Sequence, residues 1–131
     1  MRPGPKAFVG LLLAAALTGC EDPCSSDLIA SAPAANGVVA RLEKKNCGAT
    51  TGYVYEVKAL DRDGGSQTVL RFDNDHNPDW PDDDKALLDM RWVGGSQLVL
   101  DVHVPARVFK KKAKLNGVPV RYRFAPGSNG I

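Results

Sequence analysis

The sequence predicts an all-β fold: an antiparallel sandwich, small barrel or curved meander of about seven short strands. Three observations carry this expectation. Apolar and polar residues alternate with a period of two, most regularly from Gln97 to Val104, where Leu98, Leu100, Val102 and Val104 fall on one side and Gln97, Val99, Asp101 and His103 on the other. Turn-forming pairs recur between the alternating runs, among them Asn36-Gly37, Asp63-Gly64-Gly65, Gly94-Gly95 and Asn116-Gly117. Almost nothing after the first twenty residues has the 3.6-residue apolar spacing of a helix.

The opening residues are a different kind of segment. Arg2 and Lys6 give a positive start, Ala7 to Leu17 give an apolar run, and Leu17-Thr18-Gly19 gives a small-residue site before Cys20. Eleven apolar residues fall short of the roughly 20 that a membrane-spanning helix needs, so residues 1–19 are expected to be a leader removed on export. Leu17-Thr18-Gly19-Cys20 resembles the lipobox of bacterial lipoproteins. That resemblance implies that Cys20 receives a thioether-linked diacylglycerol and becomes the acylated, palmitate-bearing first residue of the mature chain. More than one acyl chain on one residue gives stable membrane attachment. The expected location is the bacterial cell envelope, facing the periplasm, with the choice of membrane left open.

From Cys20 to Ile131 there are 112 residues, a length suited to one domain with one core. Without Arg2 and Lys6, 15 basic side chains balance 15 acidic ones, so the domain has no positive surplus for a nucleic-acid partner. With Cys20 assigned to lipid, Cys24 and Cys47 remain, and an oxidising compartment predicts that they pair. A reactive Cys47 thiol and a bond from Cys24 to another chain are the alternatives.

Residues 20–36, with Pro23, Ser25, Ser26, Ser31 and Pro33, read as a tether, and residues 37–125 as the β domain. Within it, Val38 to Glu43 is the first alternating run. Asn46 to Gly52 is a loop too long for a two-residue hairpin, and Tyr53 to Leu60 follows with Tyr53, Tyr55, Val57 and Ala59 on one face. Gln67 to Phe72 is the third strand. Asp73 to Asp84 is an acidic loop in which two prolines exclude regular structure. Leu87 to Trp92 places Leu88, Met90 and Trp92 together, and Gln97 to Val104 ends at Pro105. Gly-Gly-Ser-Gln at Gly64–Gln67 and again at Gly94–Gln97 reads as one turn chemistry used twice. Arg107 to Leu115 is a basic strand, Asn116-Gly117 a hairpin turn, and Val118 to Phe124 the last strand, with Val118, Val120, Tyr122 and Phe124 on one face. Residues 126–131 read as a frayed tail.

Lys45-Asn46-Cys47-Gly48-Ala49-Thr50-Thr51-Gly52, followed by the alternating run from Tyr53 to Val57 and, more distantly, by the Met90 to Val102 region, resembles a group of small, uncharacterised proteobacterial envelope proteins and lipoproteins. The match covers under a third of the mature chain. It implies a shared fold and brings no activity with it. The acidic loop and the lysine-rich end depart from that pattern. Thr50, Thr51 and Tyr53 are the candidate recognition loop, and their alternative role is to satisfy backbone groups in a disulfide-pinned turn.

Asp73, Asp75, Asn77 and Asp79 fall at positions 1, 3, 5 and 7 of a calcium loop, with Asp84 at position 12. Pro78 stands where that loop needs glycine, and Asp84 is shorter than the bidentate glutamate, which excludes an EF-hand. No metal centre is predicted, and a looser calcium site remains the alternative to a solvated loop. Charge is segregated: Asp61 to Asp84 holds eight acids and two bases, whereas Pro105 to Ile131 holds seven bases and no acid. Arg107, Lys110, Lys111, Lys112 and Lys114 suit either an anionic lipid or polyanion surface or the protection of a sheet edge. His76 and His103 have no nucleophile at a relay spacing, and no cofactor motif is present. The resulting expectation is a non-catalytic binding or structural module attached by lipid to the envelope. The alternative is a calcium- or polyanion-responsive binding protein using residues 73–84 or 107–114.

Overall fold

The computed structural model describes residues 24–48, 52–94 and 97–130. In chain order they form β1 (Ser25–Pro33), β2 (Val39–Asn46), β3 (Val54–Leu60), β4 (Ser66–Asp73), a single 3-10 turn at Asp84–Ala86, β5 (Leu88–Val93), β6 (Gln97–Val102), β7 (Arg107–Lys111), β8 (Lys114–Leu115) and β9 (Val118–Phe124). One sheet has the order β1-β2-β3-β4-β7 and the other β5-β6-β9-β8. Neither sheet closes on itself, so the open possibilities of sandwich, barrel or meander resolve to a sandwich. Cys20, Thr50 and Thr51 lie outside the described residues.

The predicted alternation places the core. Ala40 and Leu42 of β2, Tyr55, Val57 and Ala59 of β3, and Val69, Leu70 and Phe72 of β4 are buried against Leu88, Leu98, Leu100, Val102 and Val120 of the facing sheet. Burying each large aliphatic or aromatic side chain contributes about 1.5–3 kcal/mol, which makes this shared layer the main source of stability. Both lateral openings are also stitched. On one side the Trp92 indole donates to the Ala32 carbonyl at 2.8 Å. On the other, the Tyr122 hydroxyl donates to the carbonyls of Val69 at 3.0 Å and Lys112 at 2.6 Å.

Several expectations change. The tether does not describe Ser25–Pro33, which is an edge strand paired along its length with β2 and bulged at Ile29. An edge strand needs a ladder on one side only, so its composition lacks the alternation that marks an inner strand. Its start is fastened by the Cys24–Cys47 disulfide, whose Cα atoms are 4.0 Å apart. Closing a span of 23 residues stabilises the fold by roughly 3 kcal/mol in the loop-entropy account.

The predicted basic strand is two strands in different sheets. The Lys112 N–H donates to Val69 O at 2.9 Å in the first sheet, while the Ala113 carbonyl accepts from Val120 N at 2.9 Å in the second. The chain therefore changes sheets between adjacent residues. Because β7 and β8 lie between β6 and β9 in sequence, β9 returns parallel to β6, an exception to the antiparallel expectation. The two Gly-Gly-Ser-Gln turns also differ, since pairing of Leu60 with Ser66 leaves five residues in one loop, and pairing of Val93 with Gln97 leaves three in the other. Asn116-Gly117 turns as predicted, with both residues at positive φ (50° and 82°) between the paired Leu115 and Val118.

The tail is not frayed over its described length. Asn129 accepts from Val108 N and donates to Ala106 O, both at 2.9 Å, and the Ser128 hydroxyl accepts from Ala106 N at 3.1 Å. Gly130 has φ of 81° and lies so close to β7 that a Cβ would stand 2.2 Å from Val108 O. The tail thus covers part of the outer edge of β7.

The outer face of the five-stranded sheet is ionic. Glu43 and Glu56 pair across β2 and β3 on this face, and Glu56 is only 2% exposed. Arg71 donates to Glu56 Oε2 through Nε at 2.7 Å, and Lys45 and Lys58 lie 3.8 and 4.0 Å from Oε1. Glu43 is held by Lys58 at 3.2 Å and Arg41 at 3.6 Å. Register places Asp73 with Arg107 and Arg71 with Lys110 on the same face. Long basic side chains therefore cover the carboxylates beneath them.

Deleting residues 126–131 is expected to lower unfolding free energy by about 2 kcal/mol, because three hydrogen bonds to Ala106 and Val108, each worth about 0.5–1.5 kcal/mol net, are lost. Gly130→Ala should reproduce part of that loss. Urea denaturation measures both, and a tail of no structural consequence would leave the midpoint unmoved.

Candidate binding cleft

At the end of the sandwich that carries the disulfide, Lys44, Tyr53, Tyr55, Asn74, Trp80, Pro81, Asp82 and Asp84 line a cleft of about 270 Å³. Its floor follows from strand periodicity. Tyr55 points into the core with Val57 and Ala59, and its ring stacks on Phe72 with centroids 5.5 Å apart and planes 19° from parallel. Trp80 comes from the acidic loop and lies tilted on both rings, 5.7 Å from Tyr55 and 6.2 Å from Phe72. A large aromatic flanked by aspartate and proline in an otherwise polar loop is the sequence signal for this contact.

Asp84 ties the loop to the sheet. Its Oδ1 accepts from the Tyr55 hydroxyl at 3.0 Å, and its Oδ2 faces Lys44 Nζ at 3.0 Å. Lys44 Nζ also stands 4.1 Å from the centre of the Tyr53 ring, a cation–π contact that orients this exposed tyrosine. Burial pushes the Tyr55 phenol up to about 12, and neighbouring Asp84 reinforces the rise. The Trp80 indole N–H restrains part of it, although its Nε1 is buried outside hydrogen-bonding geometry. Tyr122, at the far lateral seam, is also pushed up to about 12 by burial.

The acidic loop is organised by its own side chains. Asp73, Asn74 and Asn77 accept from the backbone N–H groups of Asp75, His76 and Asp79 at 2.9, 3.0 and 2.9 Å. These local bonds support positive φ at Asp75 and His76 (47° and 58°) without glycine. Asp83 caps the 3-10 turn by accepting from Lys85 N at 3.0 Å.

Arg107 donates to both oxygens of Asp73, at 3.0 and 2.7 Å, and sits 3.1 Å from Asp75. The segments whose charges are segregated in sequence therefore meet in space. For the looser calcium site, this means that Asp73 and Asp75 already face a guanidinium and the Asn77 side-chain oxygen already accepts a backbone N–H. Among the described residues no group of three His, Cys, Asp or Glu side chains is placed to hold a metal ion.

Of the predicted recognition residues, Tyr53 reaches the cleft. Lys44, Trp80, Asp82 and Asp84 join it, brought together only by tertiary structure. His76 lies exposed in the loop. His103 directly follows β6, with Nε2 2.9 Å from Asp89 and Nδ1 3.8 Å from Asp101. No helix among the described residues is long and apolar enough to cross a membrane. Comparisons of the chain with protein-family models, curated proteins and solved structures found no match.

Because burial disfavours the phenolate, the folded Tyr55 and Tyr122 hold their protons to higher pH than the unfolded chain does, whose tyrosines titrate near 10. Their contribution is intact below pH 10 and is lost as pH rises from about 10 through 12. Urea midpoints measured from pH 9 to 12 should fall, and less steeply in Tyr55→Phe and Tyr122→Phe. Parallel curves for wild type and both variants would contradict the assignment.

Proposed function

We propose that this is an exported protein, acylated at Cys20 and held on the envelope facing the periplasm, whose β sandwich works as a non-catalytic binding module. The export and anchoring reading is supported by the leader pattern, the cysteine at its end and the Cys24–Cys47 disulfide, a bond favoured in oxidising compartments. The observation that carries the binding reading is the cleft formed by Tyr53, Trp80, Lys44, Asp82 and Asp84.

Its chemistry narrows the ligand. Pockets that enclose whole drug-sized molecules occupy about 300–1,000 Å³ and are mainly apolar, whereas this cleft is smaller and mixes aromatic rings with carboxylates, an amide and an ammonium. Such a site takes one polar ring or side chain projecting from a larger envelope component. The aromatic faces supply contact area and the carboxylates accept hydrogen bonds from hydroxyl or amino groups. Tyr55 and Asp84 are positioning residues, since they hold the loop, while Tyr53 and Asp82 stand at the exposed margin.

A pull-down from solubilised envelope with the full lipidated protein tests this. Tyr53→Ala and Asp82→Asn should each reduce capture of the wild-type partner at least tenfold while leaving the melting temperature within about 1 °C. Unchanged capture by both variants counts against the cleft. Mass spectrometry of the purified protein should show loss of residues 1–19 and added acyl mass on Cys20, and an uncleaved, unacylated chain counts against the anchor.

A further inference from the structure

We infer that the outer face of the five-stranded sheet is a docking surface for an anionic lipid bilayer. Six cations lie on its strands, Arg41, Lys45, Lys58, Arg71, Arg107 and Lys110, against three carboxylates on the same strands, Glu43, Glu56 and Asp73, and a fourth, Asp75, that reaches Arg107 from the adjoining loop at 3.1 Å. Burial makes the imbalance greater at the surface than in the count. The carboxylate side chains are 12, 2 and 15% exposed, while those of Arg41, Arg71 and Arg107 are 33, 42 and 39% exposed. Except at Arg107, where Asp75 is itself 46% exposed, solvent therefore meets basic side chains with their counter-charges underneath.

The shape of the array selects the partner. These residues are distributed over β2, β3, β4 and β7, which are consecutive neighbours, so the patch is about 14 Å wide at the usual interstrand spacing. Along β2, Arg41 and Lys45 are about 13 Å apart. A patch equally broad in two directions fits a plane of anionic headgroups better than a single linear polyanion.

Two exposed apolar side chains add the second half of a membrane-contact signature. Leu28, on edge strand β1, pairs with Glu43 and so shares the outer face, and it is 52% exposed. Phe109, at the bulge of the opposite edge strand β7, is 53% exposed and lies under the Arg107 guanidinium, 5.0 Å from its ring centre. Apolar side chains at both margins of a cationic patch match an interface in which rings and aliphatic groups enter the headgroup boundary while cations stay at the phosphates. This surface is separate from the cleft, and the inference does not rest on acylation of Cys20.

The test uses residues 24–130, which contain both sheets, their shared core and the disulfide. Sedimentation with phosphatidylcholine vesicles, with and without phosphatidylglycerol, should show binding to the anionic vesicles at low salt and release near 0.5 M salt, where screening shortens to a few ångströms. Lys110→Glu should lower the partition coefficient at least about fivefold, because each basic residue near such a surface contributes about that factor. Leu28→Ser combined with Phe109→Ser should lower it further at constant charge. Both substitutions are at exposed positions, and an unchanged melting temperature verifies the fold. Equal binding to neutral vesicles, no binding to either, or anionic binding unaffected by Lys110→Glu overturns the inference. Retention on dextran sulfate without vesicle binding also overturns it, in favour of a polyanionic glycan.

Discussion

The loop between β4 and β5 has no ladder of its own, and two carboxylates at its ends hold it against the sandwich. Asp73 accepts a two-pronged contact from Arg107, and Asp84 is shared between the Tyr55 hydroxyl and Lys44. Charge-assisted bonds of this kind are stronger than neutral ones and directional. With its ends fastened, the loop lays Trp80 on Tyr55 and Phe72, and the cleft forms between that indole, Tyr53 and the 3-10 turn. The clamp also keeps the loop's negative charge local, since Arg107 neutralises its first two aspartates.

The outer face of the same sheet follows a related logic. Glu56 is buried on the side of β3 away from the core, where an isolated carboxylate is costly to desolvate. Arg71 bonds to it directly and two lysines approach its other oxygen, so the charge is compensated from several strands at once. Replacing such a cluster with apolar side chains is often no less stable. Its presence is thus better explained by what the face presents outward, a cationic layer, than by a need of the fold.

Much of the architecture was legible because period-two alternation depends only on neighbouring residues and the pleat. Tyr55, Val57, Ala59, Leu98, Leu100 and Val102 turn inward as their spacing predicts, and Asn116-Gly117 adopts the expected turn. What resisted reading was set by partners distant in sequence. β1 is a strand because β2 offers it an edge and a disulfide secures its start, not because Ser25–Pro33 has a strand-like composition. The lysine-rich run divides between two sheets because Lys112 and Ala113 bond to different ladders. The described tail is ordered by β7, whose free edge accepts it. Of the site, Tyr53 was visible through its motif, whereas Lys44 on β2 lies far along the chain from Trp80 and Asp84 of the acidic loop, and nothing in the sequence linked the two segments.

Taken alone, the sequence determined the all-β class, the inward faces of the central strands and the Asn116-Gly117 turn, because each depends on local backbone preference. Tertiary structure decided the division into two sheets, the parallel return of β9, the neutralisation of the acidic loop by Arg107 and the gathering of the cleft. Those outcomes depend on which distant segments compete for the same hydrogen-bonding edge and the same counter-charge, and only the folded chain resolves that competition.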